Sequence, residues 1–177
     1  VLGYRDEKKM GKVYLAAAGQ EKEIPRFSTQ GVDILSEAFT RDLFLGLIGS
    51  SRRQARAFLM EQERLSALGN AYSDEILFEA GIHPKTMCPS LSAEERNRLF
   101  DAIGHVIRRS IETIESAAPP LHQKLRDHMQ VRNKKDQPCP RCGTKIRRES
   151  VLGYDTFFCP KCQPASRKLF IDWNRGG

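Results

Sequence analysis

Residues 139–162 read CPRCGTKIRRESVLGYDTFFCPKC and contain two Cys-x₂-Cys pairs, Cys139 with Cys142 and Cys159 with Cys162, separated by sixteen residues. Two such pairs at a spacing of about 15–20 residues are typical of a structural zinc site. The two residues inside each pair let both thiolates converge on one ion, and four thiolates close a tetrahedron without leaving a position for catalysis. We therefore predict one structural Zn²⁺ bound by these four cysteines.

The segment between the two pairs alternates polar and apolar residues, with Ile146, Val151 and Phe157 on the apolar side. This alternation predicts a β-hairpin that turns near Gly153. Two disulfides or a redox pair are the alternatives, and disulfides would require an oxidising compartment. No secretion signal is present, so we expect a reducing compartment, the cytoplasm or nucleoid. Cys88 has no partner at ligand spacing and is expected to be a plain thiol.

The basic charge of the chain is concentrated at one end. Residues 1–130 contain 18 Lys and Arg against 18 Asp and Glu, whereas residues 131–177 contain 11 against 4, which accounts for the net charge of +7. Such a block attracts polyanions, and counterion release would favour nucleic-acid binding; a solvated basic tail is the alternative. No apolar run is long enough to span a membrane. The chain opens with Val1, and we expect a fragment of a larger protein.

Capping residues and apolar periodicity predict a helical domain over residues 31–118. Thr40 is the predicted N-cap of a first helix that ends at Gly49, and Asn70 opens a third helix that runs through Ala80. The second and fourth helices are predicted to start at capping boxes, Ser51 with Gln54 and Ser92 with Glu95. The residues expected to be buried on these two helices are Ala55, Phe58, Leu59, Leu99, Ile103, Val106, Ile107, Ile111 and Ile114.

The regions on either side of the helical domain have different compositions. Val13 and Leu15 alternate with polar residues and predict a strand, so residues 1–30 are interpreted as the remnant of a β-rich domain and a linker. Pro119 and Pro120 mark the other boundary, and residues 119–177 form a linker and the four-cysteine module.

Residues 65–84, LSALGNAYSDEILFEAGIHP, are very similar to the helix–two-turn–helix of the formamidopyrimidine-DNA glycosylase and endonuclease VIII family. Residues 6–11, DEKKMG, resemble the D-P-R-R-F-G that ends the family's N-terminal β-sandwich, and residues 137–143 and 157–163 resemble its zinc finger. The resemblance implies a mainly α fold, a helix–two-turn–helix bundle followed by a C4 zinc β-hairpin, with a β-sandwich strand remnant at the N-terminus.

The resemblance also implies roles for particular residues. Gly69 and Asn70 would bind a DNA phosphate at a helix N-terminus, where free backbone N–H groups and the positive end of the helix dipole favour anions; the alternative is that Asn70 only caps its helix. Arg56 aligns with a basic position before the two turns, and the alternative is a solvated arginine.

The chain departs from the family pattern at several expected DNA contacts. Lys8 and Lys9 stand where the family has arginines, and Met10 stands where it has a wedge phenylalanine, a role that apolar Met can fill. Tyr154 occupies the position of the usual finger arginine, and Arg147 or Arg148 could replace that arginine.

The leading hypothesis is the DNA-binding portion of a base-excision-repair DNA glycosylase and abasic-site lyase, a monomer that binds damaged or abasic duplex DNA. The family's catalytic residues are an N-terminal proline and glutamate, which this chain lacks, so we expect it to be inactive. The alternative is a non-catalytic protein that binds DNA or structured RNA. A zinc module for protein contacts would explain the cysteines but not Gly69 and Asn70.

Overall fold

The computed structural model describes Tyr4 and residues 11–120 and 123–165, which fall into one unit that ends at Gln30 and another that begins at Gly31. In the first unit the described residues form one 3₁₀ turn, Glu21–Glu23. Residues 11–16, predicted to contain the end of a strand, are in no strand, and Val13 and Leu15 are 61% and 101% exposed. Among the described helices, none has the length and apolar character needed to cross a bilayer.

The second unit contains four helices, and their bounds follow local capping signals. They are α1 (Arg41–Gly49), α2 (Ala55–Leu59), α3 (Asn70–Ala80) and α4 (Ala93–Ala117). The Thr40 side chain accepts a hydrogen bond from the Leu43 N–H at 3.3 Å, and Ser92 and Glu95 form a reciprocal capping box. Gly81, with a φ of 69°, closes α3 in the left-handed conformation that glycine adopts without strain. The sequence therefore predicted α1, α3 and the start of α4 correctly.

The predicted start of α2 at a Ser51–Gln54 capping box is wrong. Gln54 itself is the N-cap, and its side chain makes no capping hydrogen bond. The Ser51 hydroxyl instead accepts from the Arg53 N–H at 3.3 Å, within the turn that precedes the helix. Local side-chain bonds of this kind compete with capping geometry, so the spacing alone was insufficient.

The helical core lies where α4 packs against α1 and α3 and where α2 packs against α3. Ala55, Phe58 and Leu59 are fully buried, as predicted. The apolar stripe of α4 is shorter than predicted: no described residue of this helix beyond Ser110 is buried, and Ile111 is 36% exposed. The helix therefore continues past the elements that cover its first five turns.

A short parallel ladder joins the segments that precede α1 and α3. Strand β1 (Val32–Asp33) pairs with β2 (Leu65–Ser66), and Val32 lies opposite Leu65. The Gly31 N–H donates to the Gln62 carbonyl at 2.8 Å, and a Cβ at Gly31 would collide with the Arg64 backbone. Glycine is required at this close approach, which fixes the loop that leads to the N-terminus of α3.

The four-cysteine module contains the predicted hairpin. Strand β3 (Arg147–Val151) pairs antiparallel with β4 (Tyr154–Phe158), and Leu152 and Gly153 form the turn with φ values of 51° and 80°. Two positive φ values indicate a type I′ turn, which matches the twist of a hairpin. The residues of the second core are Phe78, Val131, Cys139, Ile146, Phe157 and Cys159. Because Phe78 belongs to α3, the hairpin module and the helical domain share that helix.

We expect Ala67→Gly to raise the free energy of unfolding by about 1 kcal/mol. Ala67 is exposed and has a φ of 72°, a conformation that costs a residue with a Cβ roughly 1–2 kcal/mol. Glycine removes that cost but adds roughly 0.4–1 kcal/mol of unfolded-chain entropy, so relief of strain dominates. Urea unfolding measures the change. Ala71→Gly, inside α3, is the control and should destabilise by roughly 0.5–1 kcal/mol. A less stable Ala67→Gly variant would contradict this account.

Candidate zinc centre and nucleic-acid interface

The four cysteines form a metal site. Their sulfur atoms all lie within 4.8 Å of one another; Cys139 Sγ is 3.8 Å from Cys162 Sγ, and Cys142 Sγ is 3.4 Å from Cys159 Sγ. Zn–S bonds of about 2.3 Å in a tetrahedron place the sulfurs about 3.8 Å apart, so the geometry fits zinc. All four positions would be protein sulfurs, and zinc bound here has a structural role.

The two Cys-x₂-Cys pairs are built alike. The Gly143 N–H donates to the Cys139 carbonyl, and the Gln163 N–H donates to the Cys159 carbonyl, both at 2.9 Å. Each hydrogen bond closes a tight knuckle and brings its two sulfurs to the same side. In both pairs, the spacing of the cysteines therefore leads to the same backbone turn.

Burial and neighbouring groups set the protonation of the thiols. Burial, with hydrogen bonds to the neighbouring thiols, raises the pKa of Cys162 to about 12, and burial also raises the pKa of Cys159. The side-chain and backbone groups of Thr144 lower the pKa of Cys142 to about 6. Four thiolates this close require a compensating cation, which a divalent metal supplies. Cys88 lies in the helical core instead, where burial raises its pKa.

The N-terminus of α3 presents free backbone donors. Gly69 is the N-cap, no side chain caps the helix, and no acidic residue lies in the first turn. The first N–H groups of a helix have no intrahelical acceptor. A Cβ built on Gly69 would meet no atom within 4 Å, so the space above this residue is open. Asn70, the first helical residue, does not cap the helix: its Oδ1 accepts from Arg56 Nη2 at 3.0 Å.

Arg56 is not the solvated arginine that was the alternative interpretation. Its side chain is 1% exposed; Nε donates to Asp74 Oδ1 at 3.0 Å, and Nη2 donates to Asn70 and to the Asp155 carbonyl at 2.9 Å. Three bonds to protein acceptors make Arg56 a positioning residue for the Asn70 amide. Direct contact of Arg56 with DNA stays a prediction.

Asp74 is the residue on which these hydrogen bonds converge, and no sequence motif indicated its role. Its carboxylate is fully buried and accepts from Arg56, from Thr156 Oγ1 at 2.7 Å, from Arg132 Nη1 at 2.7 Å and from the Phe157 N–H at 3.3 Å. The available signal was an acidic residue next to the apolar run of α3, which requires partners when buried.

Glu75 also attaches the segment before the finger to α3. Its carboxylate accepts from the N–H groups of Gln130, Val131 and Arg132, at 2.7, 2.9 and 2.9 Å. Two adjacent carboxylates on α3 therefore hold the linker and the hairpin against the helix, and the zinc module and the N-terminus of α3 form one connected surface.

The other predicted DNA contacts are scattered. Arg147 and Arg148 are exposed on β3, and Arg148 Nε donates to Asp155 Oδ1 at 2.9 Å. Tyr154 lies beside the hairpin turn and is 52% exposed. The remaining candidates, Lys8, Lys9 and Met10, lie outside the described residues.

Comparison with known proteins identifies the family. The family model for the formamidopyrimidine-DNA glycosylase H2TH domain matches residues 30–119, about half of the chain. The chain belongs to the formamidopyrimidine-DNA glycosylase family. The model for the zinc finger found in FPG and IleRS matches residues 136–165 and includes all four cysteines. Both matches coincide with the elements described above, so the zinc centre of this chain is the family's structural finger.

Similar proteins cover nearly the whole chain. Formamidopyrimidine-DNA glycosylase of Cytobacillus firmus is 34% identical over 168 residues, which are 92% of this chain and 61% of that protein. The crystal structure of MutM (Fpg) from Thermus thermophilus has a TM-score of 0.71 and 29% identity, covering 84% of this chain and 59% of that one. A Lactococcus lactis Fpg complex with DNA containing an abasic site has a TM-score of 0.69 and 30% identity, covering 77% and 52%. The chain spans about three fifths of the length of the curated relatives it matches.

Asp74→Asn is expected to lower the free energy of unfolding by about 3–5 kcal/mol, because Arg56 and Arg132 would keep buried charges without a counter-charge. Urea unfolding measures the loss. Asp101→Asn is the matched control: its carboxylate pairs with Arg41 at 2.6 Å, but its side chain is 62% exposed, so a change of roughly 0–1 kcal/mol is expected. Equal losses in the two variants would refute the central role of Asp74.

We expect one zinc ion per chain, measured by elemental analysis of freshly purified protein. Cys159→Ala should lose the metal and the hairpin but keep most helical signal, because the helical core is separate, whereas Cys88→Ala should keep the metal. Zinc affinity should fall as the pH falls, since protons compete for the sulfurs of Cys159 and Cys162, whose pKa values are raised. Metal-free protein with an intact hairpin would show that the site is not zinc-dependent.

Proposed function

We propose that this chain is the DNA-binding portion of a base-excision-repair DNA glycosylase and abasic-site lyase, which grips damaged duplex DNA through the N-terminus of α3 and the zinc finger. One observation carries the proposal: the uncapped N-terminus of α3, with open space over Gly69 and the Asn70 amide held by Arg56. This arrangement is suited to one phosphate group.

The chemistry of the site favours an anion. The N-terminus of a helix carries a partial positive charge and unpaired N–H donors. Because Asn70 Oδ1 accepts from Arg56, the Nδ2 group of the same amide is left as a donor toward the phosphate. The open space at Gly69 lets a phosphate approach the backbone closely. Arg56 thus sets which end of the amide faces the ligand.

Solved relatives support damaged DNA as the partner. Lactococcus lactis Fpg has been solved with DNA containing an abasic site and with DNA containing Fapy-dG, and MutM has been solved with DNA containing carbocyclic 8-oxo-G. The carboxylates of Asp74 and Glu75 hold the finger to α3 here, so both elements can contact one duplex at the same time. Two contacts on one duplex offset the few kcal/mol that unstacking a base costs.

A second candidate is a nucleic-acid-binding protein without glycosylase chemistry. The uncharged Tyr154 at the hairpin tip, where the resemblance implies an arginine, favours it. Borohydride trapping on an abasic duplex separates the two candidates when the complete natural protein is assayed. A covalent adduct supports the enzyme, whereas tight binding without an adduct supports the second candidate.

The binding site is tested by Asn70→Asp, which keeps the acceptor for Arg56 but places a negative charge against the phosphate. We expect at least about a tenfold weaker affinity for an abasic duplex, the order of one lost charge-assisted hydrogen bond. Stability should be unchanged or higher, because an acidic residue favours a helix N-terminus. Fluorescence anisotropy measures binding. The logarithm of affinity should fall linearly with the logarithm of salt, with a slope of about −0.9 for each of roughly 3–6 phosphate contacts.

Asn97→Asp is the matched control for this substitution, because Asn97 Oδ1 accepts from Arg41 Nη1 at 2.9 Å in the same manner but lies on α4. Its affinity should equal that of the unmodified chain. If Asn70→Asp binds equally well, Asn70 has only a structural role and the phosphate site lies elsewhere. Affinity that does not depend on salt would refute phosphate contacts altogether.

A further inference from the structure

A cavity of about 190 Å³ lies between α2 and the tip of the finger hairpin. We call it the tip pocket, and it is lined by Arg53, Arg56, Ala57, Met60, Glu61, Val151, Leu152 and Tyr154. Two of its walls come from the hairpin turn, where Leu152 is 69% exposed and Tyr154 is 52% exposed. A large aliphatic and an aromatic side chain exposed next to each other on a basic module are unlike an ordinary solvated turn.

The register of the hairpin shows which arginines of β3 lie near the tip pocket. Tyr154 pairs with Val151 beside the turn, whereas Arg147 pairs with Phe158 at the opposite end. Arg147 lies four positions before Val151 along the strand, a distance of about 13 Å. Arg148 is closer to the tip but is bonded to Asp155. Neither Arg147 nor Arg148 therefore supplies an unpaired cation at the tip pocket.

Arg53 is the half-exposed cation of the tip pocket. Its side chain is 55% exposed, and its Nε lies 3.3 Å from Glu61 Oε2. Arg64 Nε contacts the same oxygen at 3.2 Å. Two guanidinium groups thus share one carboxylate, and the trio keeps a positive charge that can attract an anion at the edge of the pocket.

The tip pocket adjoins the proposed phosphate site. Arg56 is one of the residues that line the pocket, and its buried guanidinium group donates to Asn70 at the N-terminus of α3. The tip pocket and the proposed phosphate site therefore share Arg56 as a boundary residue. The pocket also has room for a ring, since a cavity of roughly 150 Å³ can hold benzene.

From these observations we infer that the tip pocket is a subsite for one unstacked nucleotide of the bound DNA. The ring of that nucleotide packs on Tyr154 and Leu152, and its phosphate contacts Arg53. In a regular duplex both faces of every base are covered, so an aromatic side chain reaches a ring face only where the strand is unstacked. The inference rests on the proposed function, because it requires DNA at the N-terminus of α3.

The test compares a continuous duplex with the same duplex carrying one bulged nucleotide. Base stacking on an aromatic side chain supports about a tenfold preference for the bulged duplex. Tyr154→Leu should remove the preference, whereas Tyr154→Phe should keep it. With 2-aminopurine as the bulged nucleotide, its fluorescence should fall on binding the unmodified chain and Tyr154→Phe, but not on binding Tyr154→Leu. Zinc content and thermal unfolding check that each variant is folded.

The phosphate contact of Arg53 has its own test. Arg53→Gln should weaken binding of the bulged duplex and lower the salt slope by about 0.9, the value for one contact. Arg108→Gln is the control, because Arg108 is an exposed cation on α4, outside both sites; its salt slope should equal that of the unmodified chain. An unchanged slope for Arg53→Gln would remove Arg53 from the subsite.

The outcomes distinguish this inference from the proposed function. If both duplexes bind equally, or if Tyr154→Leu keeps the preference, the tip pocket is not a nucleotide subsite. The proposed function survives that result when Asn70→Asp still weakens binding. If the unmodified chain binds neither duplex, both the proposed function and the inference are refuted.

Discussion

Four hydrogen-bond donors meet at the buried carboxylate of Asp74, and the attachment of the finger to the helices depends on that group. A buried carboxylate is costly unless charges and hydrogen bonds compensate it. Here Arg56 and Arg132 supply the charge, and Thr156 and the Phe157 N–H supply the remaining bonds. Hydrogen bonds are directional, so this cluster fixes an orientation that apolar packing alone would leave variable. Through Arg56 the same cluster sets the Asn70 amide, so the orientation of that amide follows from a buried electrostatic requirement.

The zinc finger is too small to fold on its own core alone, and two further features stabilise it. A zinc ion bound by the four cysteines would close their cluster, and Phe78 of α3 contributes an aromatic side chain to the finger core. Arg141, between the first two cysteines, donates to the Phe78 carbonyl at 2.9 Å near the end of α3. A cation at a helix C-terminus is favourable for the same reason that an anion is favourable at its N-terminus. At its C-terminus α3 is therefore satisfied by the finger, while its N-terminus has no side-chain cap.

Local signals account for what the sequence predicted. The bounds of α3, the Ser92–Glu95 capping box, the hairpin turn and the metal ligands all depend on residues a few positions apart. The features that the sequence did not predict are contacts between distant segments. Arg56 and Asp74 are separated by 18 positions, and Arg132 and Asp74 by 58. A single arginine gives no local sign of whether it is buried or solvated. The pairing of β1 with β2 is also a contact between distant segments, because neither two-residue segment forms a strand alone.

The excess positive charge of the last quarter overstates the cations available to a polyanion. Within the described residues, Arg132 is paired with Asp74, Arg141 with Glu79 and Arg148 with Asp155. Their charges stabilise the fold, and a phosphate could recruit them only by displacing a carboxylate. The cations of this region that form no ion pair within the described residues are Lys134, Lys145, Arg147 and Lys161. A charge count from the sequence thus adds together cations that stabilise the fold and cations that form no ion pair. For the described part of this region, the number of phosphate contacts that salt dependence reports should follow its unpaired cations rather than its net charge.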